Sequence, residues 1–583
     1  MRRTEKWVII SRPGNYVEIG KKYGISPVLA RLLGNRGVTA DSDIRDFLEK
    51  GTDRLFSKEY SGFCLKDMDR AVEITLNKIK EKKKIRIAGD YDIDGVSAVF
   101  ILEKGLKKLG ADVDHRIPHR IHDGYGLNEK IIREAHDAGT DTIITCDNGI
   151  SAVQEISLAK SLGMTVIITD HHEVPFTVEG DRREEILPEA DAIVDPKRQD
   201  CTCPFKDICG AYVAYKFITS LYEKAGMDRG EAEEFLEIAA FATIGDVMPL
   251  KGENRMLVRE GLKRLENSSN PGLRELISLN SLEGKTMTPY HVGFILGPCV
   301  NAAGRLGDAE DSLKLLLCED PDEIHERAVV LKEMNDSRKS LTEKGVEEAL
   351  KMAETPEYEN DKILVVFLQD CHESIAGIIA GKVRERTGRP AFILTEGVTS
   401  EGEACLKGSG RSIERYNMFE EMTKIKDLFI RFGGHAMAAG LSLPRENLEE
   451  MRKRLNENPS LTEEDLAVRV SIDMELPLSY VNPSLIEELQ RLEPLGTGNE
   501  KPLFALRNAR FSDVRIFGKN NNVLKAEIYD GTAKFDCVYF GKDAPERKKE
   551  LESRKEGAKV VYSPGFNEYR GVKTIEIQIQ GIK

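Results

Sequence analysis

The sequence lacks most of the features that mark membrane, secreted or disordered proteins. No apolar run approaches the roughly 20 residues needed to span a bilayer, and the basic stretch MRRTEKWVIISRPGN lacks the apolar core of a signal peptide. There is one tryptophan, no low-complexity tract and no internal repeat. The ten cysteines are scattered, so we expect reduced thiols. These absences predict a globular, cytoplasmic protein without a membrane partner.

The net charge of −14 at pH 7 argues only weakly against a polyanionic partner. Nucleic acid responds to local basic patches and bound metal ions rather than to the charge of a whole chain. The length of 583 residues is too great for one hydrophobic core and predicts about three domains.

Short apolar strands alternate with helical segments between Lys84 and Pro196. The strands read KIRIAGD, ADVDHRIP, DTIITCD, MTVIITD and ADAIVDP. Nearly continuous apolar strands alternating with helices predict a parallel sheet covered on both faces. In such sheets, functional groups gather beyond the carboxyl ends of the strands.

Acidic residues, with two histidines among them, follow these strands directly. They are Asp90, Asp92, Asp94, Asp147, Asp170, His171, His172 and Asp195. Like charges this close repel each other, and burying any of them is costly unless a partner is supplied. Either the loops lie open in water or a cation lies among them.

A later segment, IGDVMPL, adds Asp246 to this set of carboxylate and imidazole groups, which contains no thiolate. Such ligands suit Mn²⁺ or Mg²⁺ rather than structural zinc. There are enough carboxylates for two ions about 3.5–4 Å apart with a bridging ligand, the arrangement that serves phosphoryl displacement. Each motif alone is typical of a solvated turn, but their occurrence at successive strand ends favours a metal site.

The rest of the chain predicts three further parts. Residues 321–354, rich in Glu, Lys, Leu and Ala, predict a long connecting helix with at most one break. A second α/β unit begins at KILVVFLQD and includes LKGSGRS and RFGGHAMAAGLSL. From Ala467 the sequence alternates with period two between the turn signals GKNNN and YDGT, which indicates a small antiparallel barrel.

Basic and aromatic residues alternate in the predicted barrel. They are Arg507, Arg510, Phe511, Arg515, Phe517 and Lys519. This mixture is typical of surfaces that track a nucleic-acid backbone and stack its bases. The alternative is that both phenylalanines belong to the core and the cations form a solvated face.

The motifs resemble, in order, those of the DHH phosphoesterase superfamily and, within it, the RecJ proteins. They are GDYDIDGVSA, TCDNGI, VIITDHHEVP, IGDVMPL, NAAGRL, GSGRS and GGHAMAAG, with LLGNRGVTADSDIRDFL before them and LEPLGTGNEKPLF after them. The resemblance covers nearly the whole chain. It implies an α/β fold with an N-terminal extension (1–50), a DHH catalytic domain (51–320), a connecting helix (321–355), a DHHA1 domain (356–466) and an OB-fold nucleic-acid-binding domain (467–583).

RecJ proteins are exonucleases that degrade single-stranded DNA from the 5′ end with Mn²⁺ or Mg²⁺, in recombination and repair. The resemblance therefore implies single-stranded DNA as partner, with a RecQ-type helicase and a single-strand-binding protein beside it. Another DHH phosphodiesterase, acting on oligoribonucleotides or cyclic dinucleotides, is an alternative, although such enzymes usually lack the barrel. A catalytically inactive DNA-binding scaffold is a third interpretation, which predicts eroded ligands, whereas all the ligands are present.

The resemblance also assigns ligand roles. Asp92 and Asp147 are expected to hold the first ion. Asp94, Asp147, His171 and Asp246 are expected to hold the second ion, so that Asp147 bridges the two.

Two neighbouring positions complete the expected catalytic site. By the resemblance, His172 faces the scissile phosphate and Asp170 orients the histidine pair. Many superfamily members have histidine where this chain has Ala88. Asp90 is therefore a further candidate ligand of the first ion.

A 5′-end-specific enzyme needs groups that recognise a terminal phosphate. Arginine suits this task because its planar guanidinium binds phosphate oxygens in pairs. Arg120, Arg305, Ser409 and Arg411 match positions that hold the 5′ phosphate in the resembled family. His435, in GGHAMAAG, is expected to meet a phosphate near the metal ions.

Three cysteines lie close together in CTCPFKDIC: Cys201, Cys203 and Cys209. They offer thiolate ligands for zinc, but the sequence shows no fourth ligand. The favoured interpretation is a reduced structural loop, outside the metal site.

Overall fold

The computed structural model describes residues 5–48, 53–179, 182–399, 402–457, 461–462, 464–554, 557–569 and 571–583. Its strands are β1 (Glu5–Ile9), β2 (Ile85–Ala88), β3 (Val113–Arg116), β4 (Thr142–Cys146), β5 (Thr165–Thr169), β6 (Phe176–Glu179), β7 (Arg182–Glu185), β8 (Ala192–Val194), β9 (Leu364–Phe367), β10 (Ala391–Val398), β11 (Ala404–Arg411), β12 (Arg431–His435), β13 (Ala438–Leu443), β14 (Val468–Ile472), β15 (Met474–Glu475), β16 (Phe504–Phe517), β17 (Val523–Tyr529), β18 (Lys534–Phe540), β19 (Ala558–Tyr569) and β20 (Val572–Ile582).

The α-helices are α1 (Tyr16–Tyr23), α2 (Pro27–Asn35), α3 (Asp41–Leu48), α4 (Met68–Lys80), α5 (Ile93–Lys108), α6 (Glu129–Asp137), α7 (Val153–Ser161), α8 (Gly210–Ala225), α9 (Leu236–Gly245), α10 (Gly252–Leu265), α11 (Pro271–Leu279), α12 (Pro289–His291), α13 (Gly297–Leu306), α14 (Glu310–Leu317), α15 (Pro321–Ala353), α16 (Glu373–Thr387), α17 (Met418–Lys424), α18 (Leu448–Glu457), α19 (Pro483–Gln490) and α20 (Ala544–Ser553). Within the described ranges, no helix has both the length and the apolar character needed to cross a membrane.

The chain divides into two compact units. The first consists mainly of Thr52–Met248 and Glu253–Val468, and the second of Glu5–Gly51, Pro249–Gly252 and Arg469–Lys583. The boundaries drawn from the sequence stay predictions.

The first unit contains the predicted parallel sheet, in the order β3-β2-β4-β5-β8. Helices α6 and α7 pack on one face of the sheet, and α5 and α8 contact the strands and each other. Strand β4 is buried along its whole length because both of its faces are covered. The prediction of a doubly covered parallel sheet is confirmed.

Helix α15 joins this sheet to the second α/β part of the same unit. Asp320 caps the helix by accepting hydrogen bonds from the amides of Asp322 and Glu323, and Pro321 occupies the first turn. The helix runs for 33 residues without the break that the sequence allowed. Its C-terminal half packs against β9 and α16. The sheet beyond it has the order β12-β13-β11-β10-β9, and only β9 and β10 are parallel.

The second unit is built on a barrel with the strand order β15-β16-β17-β18-β20-β19, which a β16–β19 pairing closes. Most pairs are antiparallel, as the sequence predicted, but β15–β16 and β18–β20 are parallel. Phe511 packs against the core of this unit, whereas Phe517 is 47% exposed. Phe511 therefore fits the interpretation as a core residue, and Phe517 fits the interpretation as part of an exposed nucleic-acid-binding surface.

The predicted N-terminal extension shares its core with this barrel. Leu29, Leu32 and Leu33 of α2 are fully buried in the cluster that holds Leu478 and Phe504. Strand β1 also pairs with β14. The first and last parts of the chain thus stabilise one common unit.

A partly buried histidine joins three elements of the first unit. His115 on β3 contacts Glu103 of α5 (Nδ1 to Oε2, 2.5 Å) and Glu310 of α14 (Nε2 to Oε1, 2.9 Å). Burial by itself would lower the pKa of His115, but the hydrogen bonds to the two carboxylates outweigh burial and raise the pKa to about 9.

This contact makes a pH-dependent contribution to stability. Because the pKa is raised on folding, the contribution is complete below about pH 6.5 and is lost as the pH rises through about 9, amounting to up to about 3 kcal/mol. We expect the stability of the native protein, measured by thermal unfolding, to fall between about pH 6.5 and 9.5. In His115→Gln we expect this fall in stability to be absent. His325→Gln, at an exposed histidine paired with Glu275, is the control. Identical pH profiles for native protein and His115→Gln would contradict the assignment.

Candidate metal centre and phosphate cleft

The acidic loops meet because β2, β4 and β5 are neighbours in the parallel sheet. Ala88 pairs with Thr145, and Cys146 pairs with Thr169. The residues that follow these strands therefore leave the same edge of the sheet side by side. Asp246 arrives from elsewhere, at the C-terminal end of α9.

His171 is the centre of this cluster. Its Nε2 lies 3.0 Å from Asp147 Oδ1, 3.5 Å from Asp94 Oδ2 and 3.9 Å from Asp246 Oδ2. Four predicted ligands from four separate segments therefore surround one point.

Asp94 is held by the start of α8. Its Oδ2 accepts a hydrogen bond from the amide of Gly210 at 2.6 Å, and its Oδ1 from the amide of Ala211 at 2.8 Å. The free amides and the positive end of the helix dipole favour a carboxylate at this position. Gly210 also permits close packing, because a Cβ there would lie 2.7 Å from Asp147 Cβ.

Backbone geometry fixes the carboxylates of Asp92 and Asp147. Asp92 caps α5 by accepting hydrogen bonds from the amides of Asp94 and Gly95 at 2.9 and 3.2 Å. Asp147 has a φ of +60°, a left-handed conformation that aspartate adopts more readily than most residues. Its side chain therefore leaves the strand at a sharp turn toward His171.

Asp170 forms hydrogen bonds with both residues of the histidine pair. Its Oδ1 contacts His172 Nδ1 at 2.8 Å and accepts the amide of His171 at 2.7 Å, and its Oδ2 accepts the amide of Ile150 at 2.9 Å. The other ring nitrogen of His172 lies 3.1 Å from the hydroxyl of Tyr125. Tyr125 is not predicted from the sequence, because it stands in the irregular segment IHDGYGL without a periodic signal.

The carboxylates repel one another when no cation is present. Burial, followed by the charges of Asp94 and Asp92, raises the pKa of Asp246 to about 8 and holds the pKa of Asp147 well above its usual range. Burial and Asp92 do the same for the pKa of Asp90, whose Oδ1 is buried without a hydrogen-bond partner.

The histidines respond in opposite ways. Burial lowers the pKa of His171, so its neutral ring is available as a ligand. For His172, burial also acts to lower the pKa, but the hydrogen bond to Asp170 and the surrounding carboxylates raise it to about 9.

Three groups of side chains have ligand atoms close enough to hold a cation. They are Asp90 with Asp92 and Asp147, Asp94 with His171 and Asp246, and Asp147 with His171 and His172. Asp147 and His171 each belong to two groups, so the three form one continuous centre. The orphaned oxygen, the raised pKa values and this oxygen-rich ligand set fit divalent cations such as Mn²⁺ or Mg²⁺.

A cleft of about 690 Å³ lies in the same unit and is rich in cations. The charged or polar side chains among its lining residues include Arg120, Arg305, Lys407, Ser409, Arg411 and Arg431. Four of these six match the expected phosphate-binding residues. Lys407 is paired with Glu373 at 3.0 Å.

The predicted arginines of the cleft are held by neutral oxygens. Arg305 donates to the carbonyl of Ser374 at 2.9 Å, Arg120 donates to the carbonyl of Gly304 at 3.1 Å, and Arg411 donates to Ser409 Oγ at 3.0 Å. Burial and the neighbouring guanidinium groups of Arg120 and Arg338 lower the pKa of Arg305 to about 10. Cations that repel each other in this way favour the binding of an anion.

A glycine allows Arg411 to lie against helix α16. A Cβ at Gly377 would come within 2.8 Å of the Arg411 guanidinium and 2.9 Å of Ser409 Oγ. Gly377 is not predicted from the sequence, because nothing in the segment SIAGIIAG distinguishes it.

His435 is the predicted phosphate contact that the structure does not bring into the cleft. It ends β12, is exposed, and is absent from the described residues that line the cleft. The three cysteines have different partners. Cys201 and Cys203 interact, whereas Cys209 Sγ lies 3.4 Å from Thr243 Oγ1.

Family profiles match three parts of the chain. The N-terminal domain of the DHH family matches residues 84–243, the DHHA1 domain matches residues 360–458, and the RecJ OB domain matches residues 472–581. The sheet with the acidic centre therefore belongs to the DHH class.

Curated relatives extend over nearly the whole chain. The single-stranded-DNA-specific exonuclease RecJ of Salmonella typhimurium is 31% identical over 582 residues, covering 96% of each chain. RecJ of Bacillus subtilis is 38% identical over 521 residues, which are 89% of this chain and 63% of that protein. This chain therefore spans less than two thirds of the B. subtilis relative. The chain belongs to the RecJ family.

Solved structures agree in fold. RecJ of Thermus thermophilus in complex with Mn²⁺ aligns with a TM-score of 0.82 at 29% identity, covering 100% of this chain and 80% of that chain. The same protein in complex with Mg²⁺ aligns with a TM-score of 0.76 at 27% identity, covering 100% and 78%. The predicted order of a parallel-sheet domain, a smaller α/β domain and an OB fold is confirmed.

Proposed function

We propose that this protein is a metal-dependent exonuclease that hydrolyses single-stranded DNA from the 5′ end and releases nucleotides, in DNA recombination and repair. The observation that carries the proposal is the continuous centre in which Asp147 and His171 are each shared between groups of ligand atoms. Relatives named single-stranded-DNA-specific exonucleases, and RecJ structures in complex with Mn²⁺ and Mg²⁺, support it.

Within this proposal, two ions of Mn²⁺ or Mg²⁺ are held by the acidic centre. Asp92 and Asp147, with Asp90, would hold one ion, and Asp94, Asp147, His171 and Asp246 the other. When bound, these ions lower the pKa of a water molecule and offset charge on the attacked phosphate.

The residues around the ligands position the substrate and hold protons. His172, fixed between Asp170 and Tyr125, is placed beside the acidic centre to contact a phosphate oxygen. Arg120, Arg305, Ser409 and Arg411 would bind the 5′ phosphate through paired, charge-assisted hydrogen bonds. This pairing of a metal centre with a phosphate cleft in one unit accounts for cleavage that starts at an end.

The cellular setting belongs to the proposal as well. We expect the protein to act in the cytoplasm on single strands that a RecQ-type helicase and a single-strand-binding protein provide. These two partners rest on the family resemblance alone.

The test is incubation with Mn²⁺ and four substrates: 5′-labelled single strands, 3′-labelled single strands, duplexes and a cyclic dinucleotide. We expect immediate release of labelled mononucleotide from the 5′-labelled strand, gradual shortening of the 3′-labelled strand and little cleavage of the duplex. Faster cleavage of the cyclic dinucleotide would favour the other DHH phosphodiesterases. Binding without any cleavage would favour the inactive scaffold.

A further inference from the structure

An exposed pair of aromatic rings lies where the backbone passes from α12 into α13. The connecting turn, Val292–Leu296, is a π-helix. Tyr290 and Phe294 are 62% and 68% exposed, and their rings stack with centroids 5.1 Å apart and planes 23° apart. Single π-helical turns are rare and are frequently found at functional sites. Exposure of two large rings side by side indicates a binding surface.

This turn is packed directly against the segments that carry the acidic centre. A Cβ at Gly293 would lie 3.8 Å from Ile244 Cγ2, and Ile244 stands two residues before Asp246 at the end of α9. In the following helix, Asn301 Oδ1 accepts the amide of Ile93 at 2.9 Å. Ile93 is the first residue of α5 and lies between Asp92 and Asp94. The turn that carries the aromatic pair is therefore packed against residues that are near neighbours in sequence of Asp92, Asp94 and Asp246.

A cation lies near His291, the residue next to Tyr290. Lys285 is exposed and close enough to His291, next to Tyr290, to lower the pKa of that histidine together with burial. Its ammonium group forms no ion pair with an acidic residue in the described ranges. Aromatic faces combined with a free cation suit single-stranded nucleic acid, whose bases stack and whose phosphates are negative.

We propose that Tyr290 and Phe294 form a stacking platform for nucleobases of a single strand whose phosphate lies at the acidic centre. This inference rests on the proposed function and deepens it, since it names a contact with the bases themselves. Every base has a π face, so the platform holds DNA of any sequence. It makes binding depend on the presence of a base at one position along the strand.

The test compares the native protein with Phe294→Ala, Tyr290→Ala and the double variant, in Ca²⁺ so that the strand is held without cleavage. Fluorescence anisotropy is measured with 5′-phosphorylated oligonucleotides that carry one abasic residue at successive positions. For the native protein we expect binding to weaken by about 5- to 10-fold when the abasic residue reaches the platform. For the alanine variants we expect weaker binding to the intact strand and no further loss at that position.

Phe294→Trp and Tyr290→Phe, which keep the aromatic face, should restore native binding. Phe176→Ala serves as the matched control, because the Phe176 ring is also exposed but its face is covered by the Arg183 guanidinium at 3.7 Å. Two results together support the platform. The native protein loses affinity when the abasic residue is at one particular position, and the alanine variants show no such position-dependent loss of affinity.

Three other results overturn the proposal. If the native protein binds intact and abasic strands equally at every position, the platform fails while the proposed function stands. If the native protein binds no single strand, both fail. If sedimentation shows a native dimer that Phe294→Ala dissociates, the rings are covered by a second copy of the chain instead.

Discussion

Asp147→Asn is expected to reduce cleavage of single-stranded DNA in Mn²⁺ by at least about 10³-fold. The side chain belongs to two of the three ligand groups, so its loss weakens both proposed ion sites, and several kcal/mol of electrostatic stabilisation correspond to this factor. Asparagine keeps the size of the side chain and tolerates the φ of +60°. Single-turnover cleavage measures the effect.

Binding of the strand should survive this substitution, because the cationic cleft is unchanged. We expect the affinity for single-stranded DNA, measured by anisotropy, to stay within a few-fold of the native value. Asp195→Asn is the matched control, since Asp195 is also a buried aspartate at a strand end but belongs to none of the ligand groups in the described structure. Native cleavage by Asp147→Asn, or equal losses in the two variants, would remove the bridging role.

The second large effect concerns the end of the strand. Arg411→Ala should lower the ratio of cleavage of 5′-phosphorylated to 5′-hydroxyl strands by about 10- to 100-fold, since a charge-assisted hydrogen bond contributes roughly 1.5–3 kcal/mol. Arg411 is anchored by Ser409 Oγ and the carbonyl of Gly410, which leaves the rest of its guanidinium to bind an anion. Competition between the two strands in one reaction measures the ratio directly.

Arg384→Ala provides the control for this experiment. Arg384 is close enough to Arg411 to lower its pKa, but it donates to the carbonyl of Ser412 and is paired with Glu385. We expect its removal to leave the end preference unchanged. An unchanged ratio in Arg411→Ala would place the phosphate elsewhere in the cleft.

The strand-end acids were predictable because periodicity alone determines where they lie. Apolar strands alternating with helices require parallel pairing, and parallel strands bring their carboxyl ends to one edge. Asp92, Asp147 and His171 meet for this reason. Asp246 follows a helix, so the strand periodicity does not account for its position.

Contacts made by the backbone could not be predicted in this way. The amides of Gly210 and Ala211 hold Asp94, yet any residue other than proline has an amide, so no residue type marks the position. Gly377 is likewise recognised only when Arg411 lies against it. His435, by contrast, ends β12 and is exposed, and its contact with a phosphate stays a prediction.

The shared core of the second unit joins residues that are distant in sequence. Local patterns predict strands in the region of β16–β18, but no local pattern pairs these strands with α2. Leu29 and Phe504 are separated by more than 400 positions and lie in one cluster. The packing of α2 against these strands is therefore set by the tertiary fold and not by local sequence.

That separation has a consequence for synthesis on the ribosome. The N-terminal segment emerges first, yet the residues that cover its leucines begin near Leu476. At 5–20 residues per second, translation of the intervening chain takes roughly 20–90 s. Throughout that interval the leucine face of α2 remains a target for chaperones or aggregation, and the second unit can fold only after translation of the C-terminal strands.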